Sequence, residues 1–362
     1  MRFLIFDEMK FITTLLLLLV SVYSFGQKES WLEVRGKAGF LVAHRSIMGH
    51  LATQHTIATE VSYMFKGNGE KDWHKAYNNP IYGVSAFFGS VGNHELMGNY
   101  GGAYGFISVP LIKTKRYSFS GRMGCGLAVA GKIYDTESNN LSIAVSTRFN
   151  ALVSLGLENK VEFGNHSINS IIDMTHFSNA AIKVPNFGLN LPFFSLGYGY
   201  RIRKSSLDSI PKFQKFNKKW QFGTLGFVSL KEEYPVGGKK YFIHGLNLVA
   251  RRYFKRAVGA ELSFDYIHKQ SVMVFHEDVP KTQAEIFQLG VFLGYLMPLD
   301  HFHVVVGMGY YVRDKFRPED MFYHRVGMRY VFDKGLNLNL VLKSHWARAD
   351  YVEFGVGYTI NK

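Results

Sequence analysis

Apolar and polar residues alternate along most of this chain. Between residues 192 and 203, Phe194, Leu196, Tyr198, Tyr200 and Ile202 share one parity, and Ser195, Gly197, Gly199 and Arg201 the other. Side chains of an extended strand point alternately to opposite faces, so the segment predicts a strand with one apolar and one small or polar face. Residues 351–360 repeat it, with Val352, Phe354, Val356, Tyr358 and Ile360 set against Glu353, Gly355, Gly357 and Thr359. Similar segments, bounded by turn residues, predict strands near 32–43, 56–66, 81–91, 101–112, 116–130, 144–161, 167–178 and 192–203. A second series falls near 220–231, 244–254, 257–267, 285–297, 301–313, 320–332, 336–346 and 350–361.

A soluble β-sandwich and a membrane β-barrel both alternate in this way, and other features separate them. Met9-Lys10 and the run FITTLLLLLVSVYSF read as a secretory signal peptide over 1–26, with Gln27 as the mature N-terminus. No Cys follows the cleavage box to carry a lipid. No internal run reaches the roughly 18 apolar residues of a membrane-spanning helix. Aromatic residues make up 15% of the chain and glycines number 36, which suits strands that present aromatic girdles to lipid and small residues to a lumen. The expected fold is all-β, a transmembrane antiparallel β-barrel of the outer-membrane type.

Residues 204–219, KSSLDSIPKFQKFNKK, lose the alternation and read as a basic linker or long turn. They separate a unit at 27–203 from a second set of strands at 220–362. The two sets look distantly repeated: FFSLGYGYRI at 193–202 parallels YVEFGVGYTI at 351–360, and IIDMTHFSNA at 171–180 parallels LVLKSHWARA at 340–349. The strand number permits one wide barrel or two smaller ones, and a single chain-spanning barrel is the preferred expectation. The net charge of +14 suits anionic lipid headgroups in an exported barrel better than nucleic acid. Cys125 has no partner for an internal disulfide and reads as a small buried strand residue. No HExxH or Cys/His pairing is present, so neither a metal nor another cofactor is expected.

The candidate chemistry ends the strand 167–178. His176 and Ser178 lie two apart, on one face with Met174, Ile172, Ser170 and Ile168. This places a general base beside a hydroxyl nucleophile on the lipid-facing side. Spacing alone does not single the pair out, because His44-Arg45-Ser46 has it too. In the second copy, Ala347 replaces Ser178, and His345 falls on the more polar face with Lys343, Asn339 and Asn337.

The longer run THFSNAAIKVPNFGLN, 175–190, resembles the PagL-like lipid A 3-O-deacylases of bacterial outer membranes. Their signature is His-x-Ser-Asn, then Pro-Asn-x-Gly, then a last amphipathic strand; here it is carried by His176, Ser178, Asn179, Pro185, Asn186, Gly188 and the strand ending GYGYRI. The resemblance covers about 28–203. It implies Ser178 as nucleophile, His176 as base and Asn179 as an oxyanion-hole residue. The family's third catalytic residue is a glutamate two residues after the glycine; here that position is Asn190, whose carbonyl can orient the imidazole without neutralising its charge. Asp173 is nearby, but its parity points it inward.

With a periplasmic N-terminus, odd strands run outward, which puts the pair in the outer leaflet and lets a loop at 179–191 fold Asn190 back onto His176. Lys183 in that loop is a candidate substrate contact through phosphate. The expected function is an outer-membrane serine esterase removing an ester-linked acyl chain from lipid A of lipopolysaccharide. The alternative is a non-catalytic barrel, pore or structural, that lacks the triad acid. The sequence leaves the oligomeric state open.

Overall fold

The computed structural model describes residues 29–204, 218–275, 278–346 and 348–361. The expected signal peptide, most of the expected linker and Ala347 lie outside them. Two closed antiparallel barrels of eight strands each follow one another along the chain. The first comprises β1 (Ser30–Gly39), β2 (Thr56–Lys66), β3 (Ile81–Ser90), β4 (Asn99–Lys113), β5 (Tyr117–Ala130), β6 (Phe149–Phe163), β7 (His166–Ser178) and β8 (Leu189–Arg203). The second comprises β9 (Gln221–Glu232), β10 (Lys240–Lys255), β11 (Val258–Lys269), β12 (Phe287–Leu299), β13 (Phe302–Arg313), β14 (Phe322–Val331), β15 (Leu336–His345) and β16 (Arg348–Asn361).

The expectation of one wide barrel is therefore corrected. Each terminal strand of the sequence repeat turns back onto the first strand of its own unit: β8 pairs with β1, Val34 opposite Tyr198, and β16 pairs with β9, Phe354 opposite Val228. The small residues of β8 make the narrow closure possible. Gly197 stands opposite Arg35, and a Cβ there would lie 2.2 Å from Arg35 Cγ. An eight-stranded barrel is just wide enough to be filled by its own side chains, whereas about 16 strands would enclose an aqueous channel.

Both lumens hold networks of paired charges. In the first, Arg35 Nη2 lies 2.7 Å from Glu60 Oε1, Lys37 Nζ 3.3 Å from Glu60 Oε2, and Lys160 Nζ 3.2 Å from Glu33 Oε2. In the second, Arg325 bridges Asp265 at 2.5 Å and Glu353 at 2.8 Å. Buried charges persist when each is paired and hydrogen-bonded. The outer faces are apolar, with Ile57, Leu127, Leu155, Ile172, Leu196 and Leu293 all exposed. An apolar band outside and a charged lumen inside invert the soluble arrangement and identify barrels of the outer-membrane type.

The two ends differ. At one end the strands are joined by very short turns, such as 164–165, 256–257 and 300–301; at the other the connections include 40–55, 131–148 and 270–286. Outer-membrane barrels keep short turns on the periplasmic side and long loops outside, so the ends of β1, β7 and β9 face the cell exterior. The loop 67–80 departs from this rule by being long at the short-turn end. It reaches the second barrel there, where Asp72 pairs with Arg256, Lys71 pairs with Asp300, and Tyr77 Oη donates to the Ala257 carbonyl at 3.0 Å. Between the barrels, Cys125 Sγ lies 3.1 Å from Met328 Sδ. Cys125 thus sits on the outer face of β5, not in the interior expected for it.

At the exterior end the loops of the first barrel build a small core of their own. Leu41, Met48 and Leu51 pack with Val91, Met97 and Val145 above the inward-facing Phe177 and Leu189. This core fixes the outer ends of β7 and β8.

Candidate active site

The parity expected for β7 holds. Ile171, Asp173, Thr175 and Phe177 are buried on the lumen side, while Ile168, Ile172 and Met174 are exposed on the other. Phe177 anchors the strand end by stacking on Phe87 at a centroid distance of 5.6 Å. His176 and Ser178 therefore emerge on the outward face from a rigid base. They do not look into open lipid as expected: His176 is half-buried and Ser178 only 6% exposed. The loop 179–188 and the rim of the second barrel cover them. Asp173 points into the lumen, 3.2 Å from Lys37 Nζ and 2.7 Å from Thr175 Oγ1, and has no part in the site.

The polar groups form one continuous chain. Ser178 Oγ is 3.0 Å from His176 Nε2, His176 Nδ1 is 2.7 Å from Asn190 Oδ1, and Asn190 Nδ2 is 3.1 Å from His44 Nδ1. Donors and acceptors in it are consistent in one direction. The Asn190 amide donates to His44, leaving its carbonyl oxygen toward His176. That oxygen accepts only, so His176 carries its proton on Nδ1 and presents the Nε2 lone pair to the serine hydroxyl. This is the tautomer a general base requires.

Asn190 does not reach His176 from a folded-back loop. Strand β8 begins at Leu189, earlier than expected, and Asn190 is the residue directly opposite His176 in the β7–β8 ladder. Directly opposed residues hold their Cβ atoms about 5 Å apart, which suits a side-chain hydrogen bond. His44 was legible in the sequence only as a second His-x-Ser. It enters the site because Val42 N–H donates to the Asn190 backbone carbonyl at 2.9 Å, laying the first loop along β8. No spacing rule would have linked residues 44 and 190.

The loop after Ser178 is tightly determined. The Asn179 backbone N–H donates to Asn186 Oδ1 at 3.0 Å, and its side-chain amide donates to the Lys183 carbonyl at 2.9 Å and to Ser146 Oγ at 3.3 Å. The donors that would make Asn179 an oxyanion residue are engaged by Asn186, Lys183 and Ser146. Ala180 and Ala181 take left-handed backbone conformations, φ 53° and 65°, and among the described residues their N–H groups donate to no other group. Gly188, at φ 76°, lies against the imidazole, where a Cβ would come within 2.8 Å of His176 Cε1. Lys183 does not line the site; its ammonium is close enough to Asp135 to help hold that carboxyl below its usual range, after the hydrogen bonds Asp135 accepts from Ser138 and Glu137.

A cavity of about 290 Å³ opens beside Ser178. One wall belongs to the first barrel, with His44, Arg45 and Phe187; the other belongs to the second, with Glu233, Tyr234 and Arg348. Glu232 N–H donates to the Ala181 carbonyl at 3.2 Å and joins the two walls. In the second barrel, the counterpart His345 is buried in the lumen, as its parity predicts, with Nδ1 2.9 Å from the Phe322 carbonyl. It shares that space with Glu319 and Asp350, whose carboxylates already pair with Lys231 and Lys269.

Comparison with known proteins fits this arrangement in two pieces. Residues 57–201 match the family model of lipid A 3-O-deacylase (PagL), and residues 212–362 match that of the acyloxyacyl hydrolase C-terminal domain. No curated protein matches the chain. Among solved structures, an outer membrane channel from Pseudomonas putida is 9% identical, with 93% of this chain and 97% of that one covered and a TM-score of 0.21. A triple mutant of the Rhodopseudomonas blastica porin is also 9% identical, with 91% and 100% covered and a TM-score of 0.18. At those scores neither bears on this site. Set beside the His176–Ser178 pair at the exterior end of the first barrel, the two family matches divide the chain where the barrels do: it belongs to the PagL lipid A 3-O-deacylase family and carries that family's acyloxyacyl hydrolase C-terminal domain as its second barrel.

Proposed function

We propose that this protein is a serine ester hydrolase of the outer membrane that removes an ester-linked acyl chain from lipid A. Ser178 Oγ attacks the acyl carbonyl while its proton passes to His176 Nε2. The imidazolium that forms keeps its Nδ1–H on the Asn190 carbonyl. His176 then returns a proton to the departing sugar hydroxyl, leaving an acyl ester on Ser178. Water repeats the sequence: His176 takes its proton, the oxygen attacks the acyl-serine, and the free fatty acid leaves as Ser178 regains its hydrogen. The oxyanion of each tetrahedral intermediate falls to the turn that Asn179 holds in place, with the N–H groups of Ala180 and Ala181 as donors.

The observation that carries this reading is the oriented pair, Ser178 Oγ 3.0 Å and Asn190 Oδ1 2.7 Å from the two nitrogens of one imidazole. Its place at the exterior end of an apolar-faced barrel favours a lipid substrate of the outer leaflet. The side-chain-filled lumens favour an enzyme over a pore. Mass spectrometry of lipid A from cells expressing the wild type or Ser178→Ala tests the reading. Loss of one acyl chain only with the wild type is expected; identical lipid A from both would overturn it.

A further inference from the structure

The second barrel has no serine in the position of Ser178, yet its rim forms half of the cavity beside that residue. Two guanidinium groups face this cavity, Arg45 from the first loop of the first barrel and Arg348 from the start of β16. Among the described residues neither is in an ion pair, whereas the other charges of the wall are engaged. Lys231 pairs with Glu233 at 2.8 Å, and Glu232 Oε1 accepts from Gly237 N–H at 2.9 Å. Arg45 is steadied by the Phe187 ring, 5.9 Å from its centroid. Partial burial raises the Tyr234 phenol above its usual range, and the charges of Arg348 and Arg45 both oppose that rise, so both lie within electrostatic reach of one hydroxyl. Two guanidiniums outside any ion pair among the described residues, lining one cavity from the two barrels, suit a tetrahedral dianion, since arginine binds phosphate through paired N–H donors. The apolar side chains of Val184 and Phe187 line the same cavity.

We propose that Arg45 and Arg348, one from each barrel, form a phosphate clamp that holds the phosphorylated headgroup of the lipid while its acyl ester reaches Ser178. The second barrel is then the binding half of a composite site. This assignment rests on the esterase reading for its substrate, and the experiment separates the two.

The full-length protein in detergent micelles is assayed on lipid A and on the same lipid stripped of its phosphates. Arg45→Ala and Arg348→Ala are each expected to raise KM for the phosphorylated lipid about tenfold, the scale of one charge-assisted hydrogen bond, with kcat kept within about twofold. KM for the dephosphorylated lipid stays unchanged, and Arg348→Lys recovers part of the loss. Equal losses on both lipids, or none on either, would overturn the clamp. Binding to Ser178→Ala protein, followed by tryptophan fluorescence, reads the clamp without turnover. Arginine-dependent preference for the phosphorylated lipid supports it even if the wild type cleaves neither lipid, an outcome that would sink the esterase reading alone. Inorganic phosphate is the competitor: displacement of the lipid by free phosphate at equal concentration would mean a site for phosphate ion and would overturn the assignment to a lipid headgroup.

Discussion

Asn190 stands directly opposite His176 across the β7–β8 ladder, and its side-chain oxygen lies 2.7 Å from the imidazole Nδ1. A backbone register, more rigid than any loop, thus sets the orientation of the base. The amide supplies orientation and tautomer but no negative charge, so it holds the imidazole without stabilising the imidazolium. The following expectations turn on this difference.

Asn190→Asp keeps the acceptor oxygen in place and adds the missing charge. An acid-to-amide change in a comparable triad costs about 10⁴ in turnover, so restoring the acid is expected to raise kcat by about tenfold or more. Asn190→Ala should lower it. Steady-state fatty-acid release measures both; an Asp variant slower than the wild type would show that the amide itself is required.

His44 fixes which way the Asn190 amide points, through its 3.1 Å contact with Nδ2. Removing it in His44→Ala frees the amide to rotate and place its NH₂ toward His176, which would force the wrong tautomer. A loss of about tenfold in kcat follows from one hydrogen bond of orientation. A carboxylate has no wrong way round, so the same change on the Asn190→Asp background should cost far less. The double-mutant cycle is the check, and additive losses would refute the orienting role.

Gly188 lies against the edge of the imidazole. Gly188→Ala adds a Cβ that would sit 2.8 Å from His176 Cε1 at a backbone φ of 76°, so the ring must move. A displacement near 1 Å costs about 10²-fold in rate. Heat-modifiable gel mobility should report a folded barrel while hydrolysis falls; wild-type activity would show that the loop yields instead.

Glu60 neutralises Arg35 and Lys37 in the first lumen and accepts from Tyr104 Oη at 2.8 Å. Glu60→Ala takes one of two carboxylate partners from each buried cation, leaving Arg35 with Glu33 and Lys37 with Asp173, each at 3.2 Å; breaking a buried pair typically costs about 3–5 kcal/mol. Urea unfolding of the protein in lipid vesicles, followed by tryptophan fluorescence, should show it. A cost below about 1 kcal/mol would mean that the existing pairs with Glu33 and Asp173 suffice without Glu60.

Alternation by itself determined that the chain is a set of strands, and parity determined that His176 and Ser178 share the outward face. Both depend only on the local rule that neighbouring side chains of a strand point opposite ways. The inward course of Asp173 and of His345 was legible for the same reason. Closure was not, because a strand's periodicity is the same in one barrel of sixteen strands as in two of eight. The tertiary structure decided it through pairs such as Gly197 with Arg35, which leave room for a charged lumen in a narrow barrel. Nor could the sequence show that Asn190 acts from a strand, that His44 orients it, or that Arg348 of the other barrel faces the same cavity. Those relations join residues up to about 300 positions apart and exist only once register, loop packing and the approach of the two barrels are fixed.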